Sequence, residues 1–311
     1  MITTFLALIA SQGAMLVLDA RPGSERCGAE TEKEVVVCAG AALPKTRLPL
    51  EINGVLGTVL VEPGGSDDFH CNPAFVVRAR MLGRGPYGIA QIGPIEVKGA
   101  FGEIVARVAG RRTRGFARWT TGPAVRDADC VVGPRGLGHK VVRFVLGEQR
   151  SDAISATFPF HSPDYGHVNA ALDAGRHKLA VRFEMMRRRS VLTAPSARAI
   201  APVLGGTAIG PVEQEEIAWN IQRPVRRLAL HRSFRMGGLR LQDPYVRVAD
   251  FGRAMNIRAV DPDEVAIDDV VVERRPGPVG RTKLVRVGAD DLARCVSLTV
   301  DRNARTVTIV C

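Results

Sequence analysis

The sequence predicts an exported, mostly β protein that consists of two related halves with short helices. Two observations support this prediction: a composition rich in turn-forming residues, and a series of landmarks that recurs in the second half of the chain. The 311 residues include 32 Gly and 19 Pro, a usage that favours many short strands over long helices. Two domains are expected at this length, and a hydrophobic content of 46% suffices to form their cores.

The N-terminus contains an apolar run that ends in small residues, FLALIASQGAMLVLDA. The run is too short to span a bilayer and is typical of a signal peptide, which we place at residues 1–20. Because no Lys or Arg precedes the run, a buried N-terminal strand or helix is the alternative. Residues 21–46 follow as a short N-terminal segment. Export predicts a periplasmic or secreted bacterial protein.

Six cysteines support export, because disulfides persist in oxidising compartments. Sequence alone allows fifteen pairings, and the order along the chain suggests Cys27–Cys38, Cys71–Cys130 and Cys295–Cys311. The last pair flanks an alternating hairpin sequence whose turn falls in 301–305. Folding this hairpin about Asn303 places Cys295 opposite Cys311, within reach of a disulfide. The same fold places Val300 opposite Thr306. No cysteine has CxxC or Cys/His spacing, so we predict no metal site and no cofactor.

The two halves carry the same landmarks in the same order. Residues 47–82 and 168–201 each contain a strand that reaches a glycine and an apolar strand that ends at a glutamate, Glu62 or Glu184. A short second strand follows, and a proline then begins a short Ala-rich helix. This order predicts an internal repeat.

The ends of the two halves also match, because each closes with an apolar strand that runs into Gly133 or Gly288. We therefore predict a first half at 47–150 and a second half at 167–311. The Pro-containing segment 151–166 is predicted to link them. The second half is longer, and its extra residues are assigned to an exposed excursion at 258–283.

The repeated landmarks resemble the lobe of a retropepsin-like aspartic protease. The active turn of that family reads hydrophobic-Asp-Thr/Ser-Gly-Ala/Ser. The matching stretches here are VEPGGS at 61–66 and FEMMR at 183–187, and VVG at 131–133 and RVG at 286–288 match the family's hydrophobic-hydrophobic-Gly signals.

The resemblance implies a mostly β fold of two retropepsin-like closed-sheet lobes with short helices, in a pepsin-like bilobal arrangement. It places Glu62 and Glu184 at the two catalytic positions. In the family, the later strand threads beside the strand that follows the catalytic turn, which would bring Cys71 near Cys130. A cleft between the lobes would bind extended peptide or protein.

The departures from the family pattern affect both catalytic turns. Glu62 and Glu184 replace Asp, and Pro63 and Met185 replace the hydroxyl residue that follows it. Aspartic proteolysis needs two carboxyl groups that share one proton, and a misplacement of about 1 Å costs about a hundredfold in rate. Arginines at 187–189 are expected to hold a neighbouring carboxylate ionised.

The sequence therefore predicts a weakly active or inactive protease homologue that binds extended peptide. Two alternatives remain open: an active endopeptidase that uses Glu62 and Glu184, and a cell-envelope scaffold that binds an anionic surface. The net charge of +11 suits an anionic surface. We predict no nucleic-acid partner, because no stretch was found in which aromatic and basic residues interleave as in a stacking platform.

Three further polar residues are candidates for chemistry. His161 and His167 flank the predicted linker, where a solvated position is favoured over a metal or catalytic role. Ser66 lies in GGSDD, which differs from the G-x-S-x-G elbow of serine hydrolases. Serine-hydrolase chemistry is therefore not expected.

Overall fold

The computed structural model describes residues 15–19, 34–38, 47–92, 95–161, 166–174, 176–219, 221–248 and 283–311. Within these ranges the protein is mostly β, with closed, barrel-like sheets and few helices. This confirms the predicted β class. Predicted features that fall on Cys27, on most of the first 46 residues and on nearly all of the 258–283 excursion lie outside the described residues.

The elements up to residue 159 are, in order, β1 (Met15–Asp19), β2 (Glu34–Cys38), β3 (Arg47–Ile52), β4 (Val55–Val61), β5 (Phe69–Cys71), α1 (Pro73–Arg78), β6 (Arg84–Ile92), β7 (Ile95–Val108), β8 (Arg111–Trp119), β9 (Cys130–Val132), β10 (Val141–Val145) and β11 (Ser155–Pro159). The remaining elements are β12 (Ala170–Ala174), β13 (His177–Phe183), β14 (Val191–Leu192), α2 (Ala194–Leu204), β15 (Gly206–Ala218), β16 (Ile221–Leu230), β17 (Phe234–Met236), β18 (Leu239–Leu241), β19 (Tyr245–Arg247), β20 (Leu284–Val287), α3 (Ala289–Leu292), β21 (Ser297–Asp301) and β22 (Thr306–Val310).

The N-terminal sheet has seven strands in the order β3-β4-β9-β5-β8-β7-β6, and β3 also pairs with β7, which closes a barrel. Its first hairpin turns at Asn53 and Gly54, whose φ angles of 52° and 76° are those of a two-residue hairpin loop. The inward side chains of β3, among them Leu48 and Leu50, are almost fully buried. α1 begins at Pro73, as the sequence predicts, and packs Phe75 into this core.

The C-terminal sheet also has seven strands, in the order β12-β13-β20-β14-β19-β16-β15. In each sheet a late strand lies between two earlier ones. β9 runs parallel to β4 and antiparallel to β5, and β20 runs parallel to β13 and antiparallel to β14. The repeat predicted from the sequence therefore corresponds to two sheets in which a late strand is threaded in the same way.

A six-stranded sheet, ordered β11-β22-β21-β10-β1-β2, combines strands from both halves. Its strand β11 lies within the segment 151–166 that was predicted as a linker, and pairs with β22. Its strand β1 lies within the predicted signal peptide and runs parallel to β10, with Val17 buried. A strand at this place agrees with the alternative of a buried N-terminal strand, and signal cleavage stays a prediction.

Two of the three predicted disulfides are confirmed. Cys71 bonds to Cys130 and Cys295 bonds to Cys311, with Cα atoms 4.0 and 3.9 Å apart. The third pairing depends on Cys27, outside the described residues. Two disulfides indicate an oxidising, extracellular-type environment. Among the described helices, none is long and apolar enough to cross a membrane.

The register predicted for the C-terminal hairpin is wrong by one residue. Val300 pairs with Val307 instead of Thr306. The cause is a four-residue turn, in which Oδ1 of Asp301 accepts hydrogen bonds from the backbone N–H groups of Asn303 and Ala304. The disulfide forms nonetheless, because both cysteines lie just beyond the ends of the two paired strands.

Candidate functional site

The turn after β4 is fixed to the end of β9 by its backbone. The N–H of Glu62 donates to the carbonyl of Val132 at 2.9 Å, and the N–H of Gly133 donates to the carbonyl of Ser66 at 2.6 Å. A Cβ atom at Gly133 would lie 2.1 Å from the carbonyl oxygen of Gly65. Glycine is therefore required here by the close approach of two backbones.

The turn after β13 is fixed to the end of β20 in the same manner. The N–H of Glu184 donates to the carbonyl of Val287 at 2.8 Å. A Cβ atom at Gly288 would lie 2.4 Å from the carbonyl oxygen of Arg188, and the N–H of Gly288 donates to Oγ of Ser190 at 3.0 Å. The two glutamates thus begin equivalent turns on equivalent strands.

The side chain of Glu62 connects the two turns. Its Oε1 accepts the backbone N–H of Met185 at 2.5 Å, and its Oε2 accepts that of Met186 at 2.9 Å. Glu62 is only 6% exposed. Both carboxyl oxygens therefore accept hydrogen bonds from the opposite turn. The side chain of Glu62 thereby links the two halves.

Glu184 has a different set of partners. Its Oε2 lies 2.6 Å from Nε of Arg187, and its Oε1 lies 3.6 Å from Nε of Arg286. The Arg187 contact is an ion pair without the angle of a hydrogen bond, so Oε2 has no hydrogen-bond partner. The expectation that the arginine run would hold a carboxylate is confirmed for Arg187.

The two glutamates are shifted in opposite directions. Burial raises the pKa of Glu62 to about 8, and the negative charge of Glu184 acts in the same direction. The N–H groups that Glu62 accepts and the charge of Arg187 act against the shift. Burial is the largest single influence on the pKa of Glu184 and would raise it, but the surrounding cations, Arg286 first and then Arg187 and Arg182, together hold the pKa below its ordinary value.

Glu62 and Glu184 therefore both lie where the turns after β4 and β13 meet, as the resemblance implies; we call this contact region the seam. The two side chains have different partners there. The described contacts contain no hydrogen bond between their carboxyl groups; each group is bound by other partners. A shared-proton dyad needs the two carboxyl groups to bind each other or one common water. The arrangement instead places an acid with a raised pKa against two amides and an acid with a lowered pKa against two guanidinium groups.

His167 belongs to this seam, contrary to the solvated position expected for it. Its Nδ1–H donates to the carbonyl of Gly64 at 2.9 Å. Burial lowers its pKa to about 3, and the charge of Arg182 adds to the effect. His167 is therefore neutral at physiological pH. No pattern in the sequence indicates this contact, since His167 and Gly64 lie 103 residues apart.

Ser66 and His70 form a second polar pair beside the first turn. Oγ of Ser66 lies 2.7 Å from Nε2 of His70 and 3.1 Å from the carbonyl of Asp68, while Nδ1 of His70 is buried without a partner. The arrangement that satisfies both contacts has Nε2–H donating to Ser66 and the hydroxyl donating to Asp68. A nucleophilic serine needs the opposite direction, with the imidazole accepting its proton. The ring of His70 also contacts that of Trp219, with centroids 5.3 Å apart.

Across the described ranges, no group of three or more His, Cys, Asp or Glu side chains is arranged to hold a metal ion. Comparison of the sequence with models of protein families found no match, and no curated protein matches it. The functional assignment therefore depends on the geometry of the seam.

Proposed function

We propose that the chain is an exported, retropepsin-like protein of two lobes that binds extended peptide in the cleft between them and does not cleave it. The observation that carries the proposal is the use of the two glutamates. Glu62 is bound to the amides of Met185 and Met186, and Glu184 is held by Arg187 and Arg286. The carboxyl group of Glu62 thus joins the two turns, and that of Glu184 balances the charge of the two arginines.

The topology of the two sheets supports the retropepsin part of the proposal. In the N-terminal sheet, β9, which precedes Gly133, lies between β4 and β5, the strands on either side of the Glu62 turn. In the C-terminal sheet, β20, which precedes Gly288, lies between β13 and β14, the strands on either side of the Glu184 turn. Such threading, twice in one chain and with the turns in contact, is what the family resemblance implies. A pepsin-like bilobal arrangement and a periplasmic or secreted location are parts of this proposal.

Peptide binding is supported by the edges of the sheets. Strand β6 ends the order of the N-terminal sheet, and β15 ends that of the C-terminal sheet, so each has one edge that pairs with no described strand. An extended peptide can add to such an edge through main-chain hydrogen bonds. Binding of this type needs no catalytic group.

A cleavage assay tests the absence of catalysis. Wild type, Glu62→Gln and Glu184→Gln are incubated with an unfolded polypeptide from acidic to neutral pH, and fragments are measured by mass spectrometry. We expect no cleavage by any of the three. Cleavage by wild type that both substitutions abolish would contradict the proposal.

A fluorescence titration tests peptide binding. Trp219 contacts His70 at the junction of the two halves, so a Trp119→Phe chain reports on this junction alone. We expect a saturable change in emission when an unfolded polypeptide is added, and a smaller change in the matched Trp219→Phe chain. Absence of saturable binding by both fluorescence and calorimetry would refute the binding function.

One observation favours a second candidate, an active endopeptidase that uses both glutamates. Acid and base roles are often assigned by environments that push two pKa values apart, and Glu62 and Glu184 are shifted in this way. Such an enzyme would be active between the lowered pKa of Glu184 and about pH 8, not only in acid. The same cleavage assay at neutral pH distinguishes the two candidates.

A further inference from the structure

Strands β7 and β8 present a row of aromatic rings on the outer face of the N-terminal barrel. The ring of Phe101 lies 5.6 Å from that of Tyr87 on β6 and 6.2 Å from that of Phe116 on β8. Tyr87 and Phe116 are 51% and 42% exposed. The alternate residues of the same strands, such as Ala106 and Ala117, are buried in the barrel. The rings therefore point outward, because side chains alternate along a strand.

Arginines lie between these rings on the same face. Arg84 pairs in register with Phe101, Arg114 with Val105, and Arg112 with Arg107. Arg112 and Arg107 are thus like charges placed directly opposite each other, and of the two only Arg107 has a carboxylate partner among the described residues, Glu51. We call the surface formed by Arg84, Tyr87, Phe101, Arg112, Arg114 and Phe116 the aromatic–arginine face.

Carboxylates on this side balance only part of the charge. Glu51 lies 3.7 Å from Arg107, Asp68 lies 2.5 Å from Arg118, and Glu103 is the cross-strand neighbour of Phe116. None of the described carboxylates forms an ion pair with Arg84, Arg112 or Arg114. The aromatic–arginine face therefore keeps a positive charge beside exposed apolar rings.

We propose that the aromatic–arginine face docks on the surface of an anionic phospholipid bilayer. Interfacial binding grows with the apolar area that enters the headgroup region and with attraction to anionic lipids. Tyrosine suits that region because its ring is apolar and its hydroxyl is polar. Arginine can lay its stem along the apolar surface and keep its guanidinium among the phosphates.

Two other partners fit the face less well. A second copy of the chain would bring arginines against arginines across a twofold axis, so the charges would repel. The premise of the prediction against a nucleic-acid partner is wrong, because β8, RRTRGFARW, is a stretch in which basic and aromatic residues interleave. However, neighbouring rings of the face are inclined to one another by 45° and 67°, so they do not offer the parallel ring faces on which successive bases could stack.

Vesicle sedimentation with the full chain tests the proposal. The vesicles contain either phosphatidylcholine alone or phosphatidylcholine with about one third phosphatidylglycerol, at low salt and at about 0.5 M salt. We expect binding only to the anionic vesicles, weakened by salt. Arg112→Gln with Arg114→Gln should reduce partitioning about 25-fold, since each arginine near an anionic surface contributes roughly fivefold. Phe116→Ser should reduce it several-fold at both salt concentrations.

Matched controls separate this face from the general positive charge. Arg235 and Arg240 are exposed cross-strand neighbours on the β17–β18 hairpin. Replacing both by Gln removes the same charge and should change partitioning less than twofold. Val203→Ser, on an exposed position of α2, is the control for Phe116→Ser. Circular dichroism of each variant checks that the fold is retained.

Four results would overturn the proposal. These are equal binding to neutral vesicles, an equal loss for the Arg235 and Arg240 control, full competition by inorganic phosphate at millimolar concentration, and tighter binding to single-stranded DNA through the same residues. Competition by phosphate would indicate a site for the free anion, and the DNA result would indicate a nucleic-acid surface.

Discussion

The pH dependence of stability should reveal the state of Glu62 between the two turns. In the folded chain burial raises its pKa to about 8, compared with 4.5 when it is exposed. Between these values the folded chain holds a proton that the unfolded chain has lost. The free energy of unfolding therefore falls as pH rises. The contribution of Glu62 is complete below about pH 4.5 and lost as pH rises through about 8.

The size of the effect follows from the size of the shift. A displacement from 4.5 to about 8 corresponds to about 5 kcal/mol at about 1.4 kcal/mol per unit. Between about pH 5.5 and about pH 7.5 the contribution of Glu62 falls by about 3 kcal/mol. The histidines His70, His139 and His167 have lowered pKa values and contribute with the opposite sign. A comparison with a variant is therefore needed.

The substitution Glu62→Gln isolates this contribution. Glutamine imitates the protonated acid, keeps one oxygen for the amides of Met185 and Met186, and cannot ionise. Urea unfolding of both chains at about pH 5.5 and about pH 7.5 gives the four free energies required. Between these pH values wild type should lose about 3 kcal/mol relative to the variant. The control Glu103→Gln, at an exposed position of β7, should keep the pH dependence of wild type.

Parallel pH profiles for wild type and Glu62→Gln would refute the reasoning. That result would mean that the two amide donors keep Glu62 ionised in spite of its burial. Glu62 would then be an ordinary buried carboxylate. The opposite pKa shifts of the two glutamates could no longer be used to compare their roles.

Three further predictions concern stability. Gly133→Ala should lower the free energy of unfolding by about 3 kcal/mol, because the added Cβ would overlap the backbone of the first turn. Gly115→Ala is the control and should be tolerated, because a Cβ there meets open space. A similar loss for both variants would contradict the close approach of the two backbones. Replacing Cys295 and Cys311 by Ser should lower the free energy of unfolding, measured in urea, by about 3 kcal/mol, because the bond closes a loop of 16 residues. An unchanged urea midpoint would contradict a stabilising role for this disulfide. His139 has two buried ring nitrogens without partners and a pKa lowered to about 4 by burial, so its contribution to stability is lost as pH falls below about 6.5. His139→Leu should therefore raise the thermal midpoint, with about 2 kcal/mol more effect at about pH 5 than at neutral pH; a lower midpoint at both would show that the imidazole has a partner.

Local patterns in the sequence predicted much of the fold. Turn residues and short apolar runs predicted a β protein, and Pro73 and Pro195, the first residue of α1 and the second of α2, predicted where these helices begin. The hairpin argument predicted the Cys295–Cys311 bond although its register was one residue off. That error arose because the side chain of Asp301 stabilises a four-residue turn, a detail that alternation alone does not specify.

The contacts of the seam could not be predicted in this way. Sequence order identified Glu62 and Glu184 as equivalent positions but not what their oxygens bind. Glu62 reaches an amide 123 residues away, and His167 leaves the predicted linker to reach Gly64. The arginines of β8 were counted only as part of the net charge, since their common face with Tyr87 and Phe116 appears only when β6, β7 and β8 pair.

By itself the sequence predicted the β class, the recurring landmarks with a glutamate at the same place in each half, and the Cys295–Cys311 disulfide, because each depends on short-range periodicity or on simple order along the chain. Tertiary structure alone decided the direction in which the pKa of each glutamate is shifted. That outcome depends on burial and on charges within a few ångströms, and these distances are set only when the two turns meet.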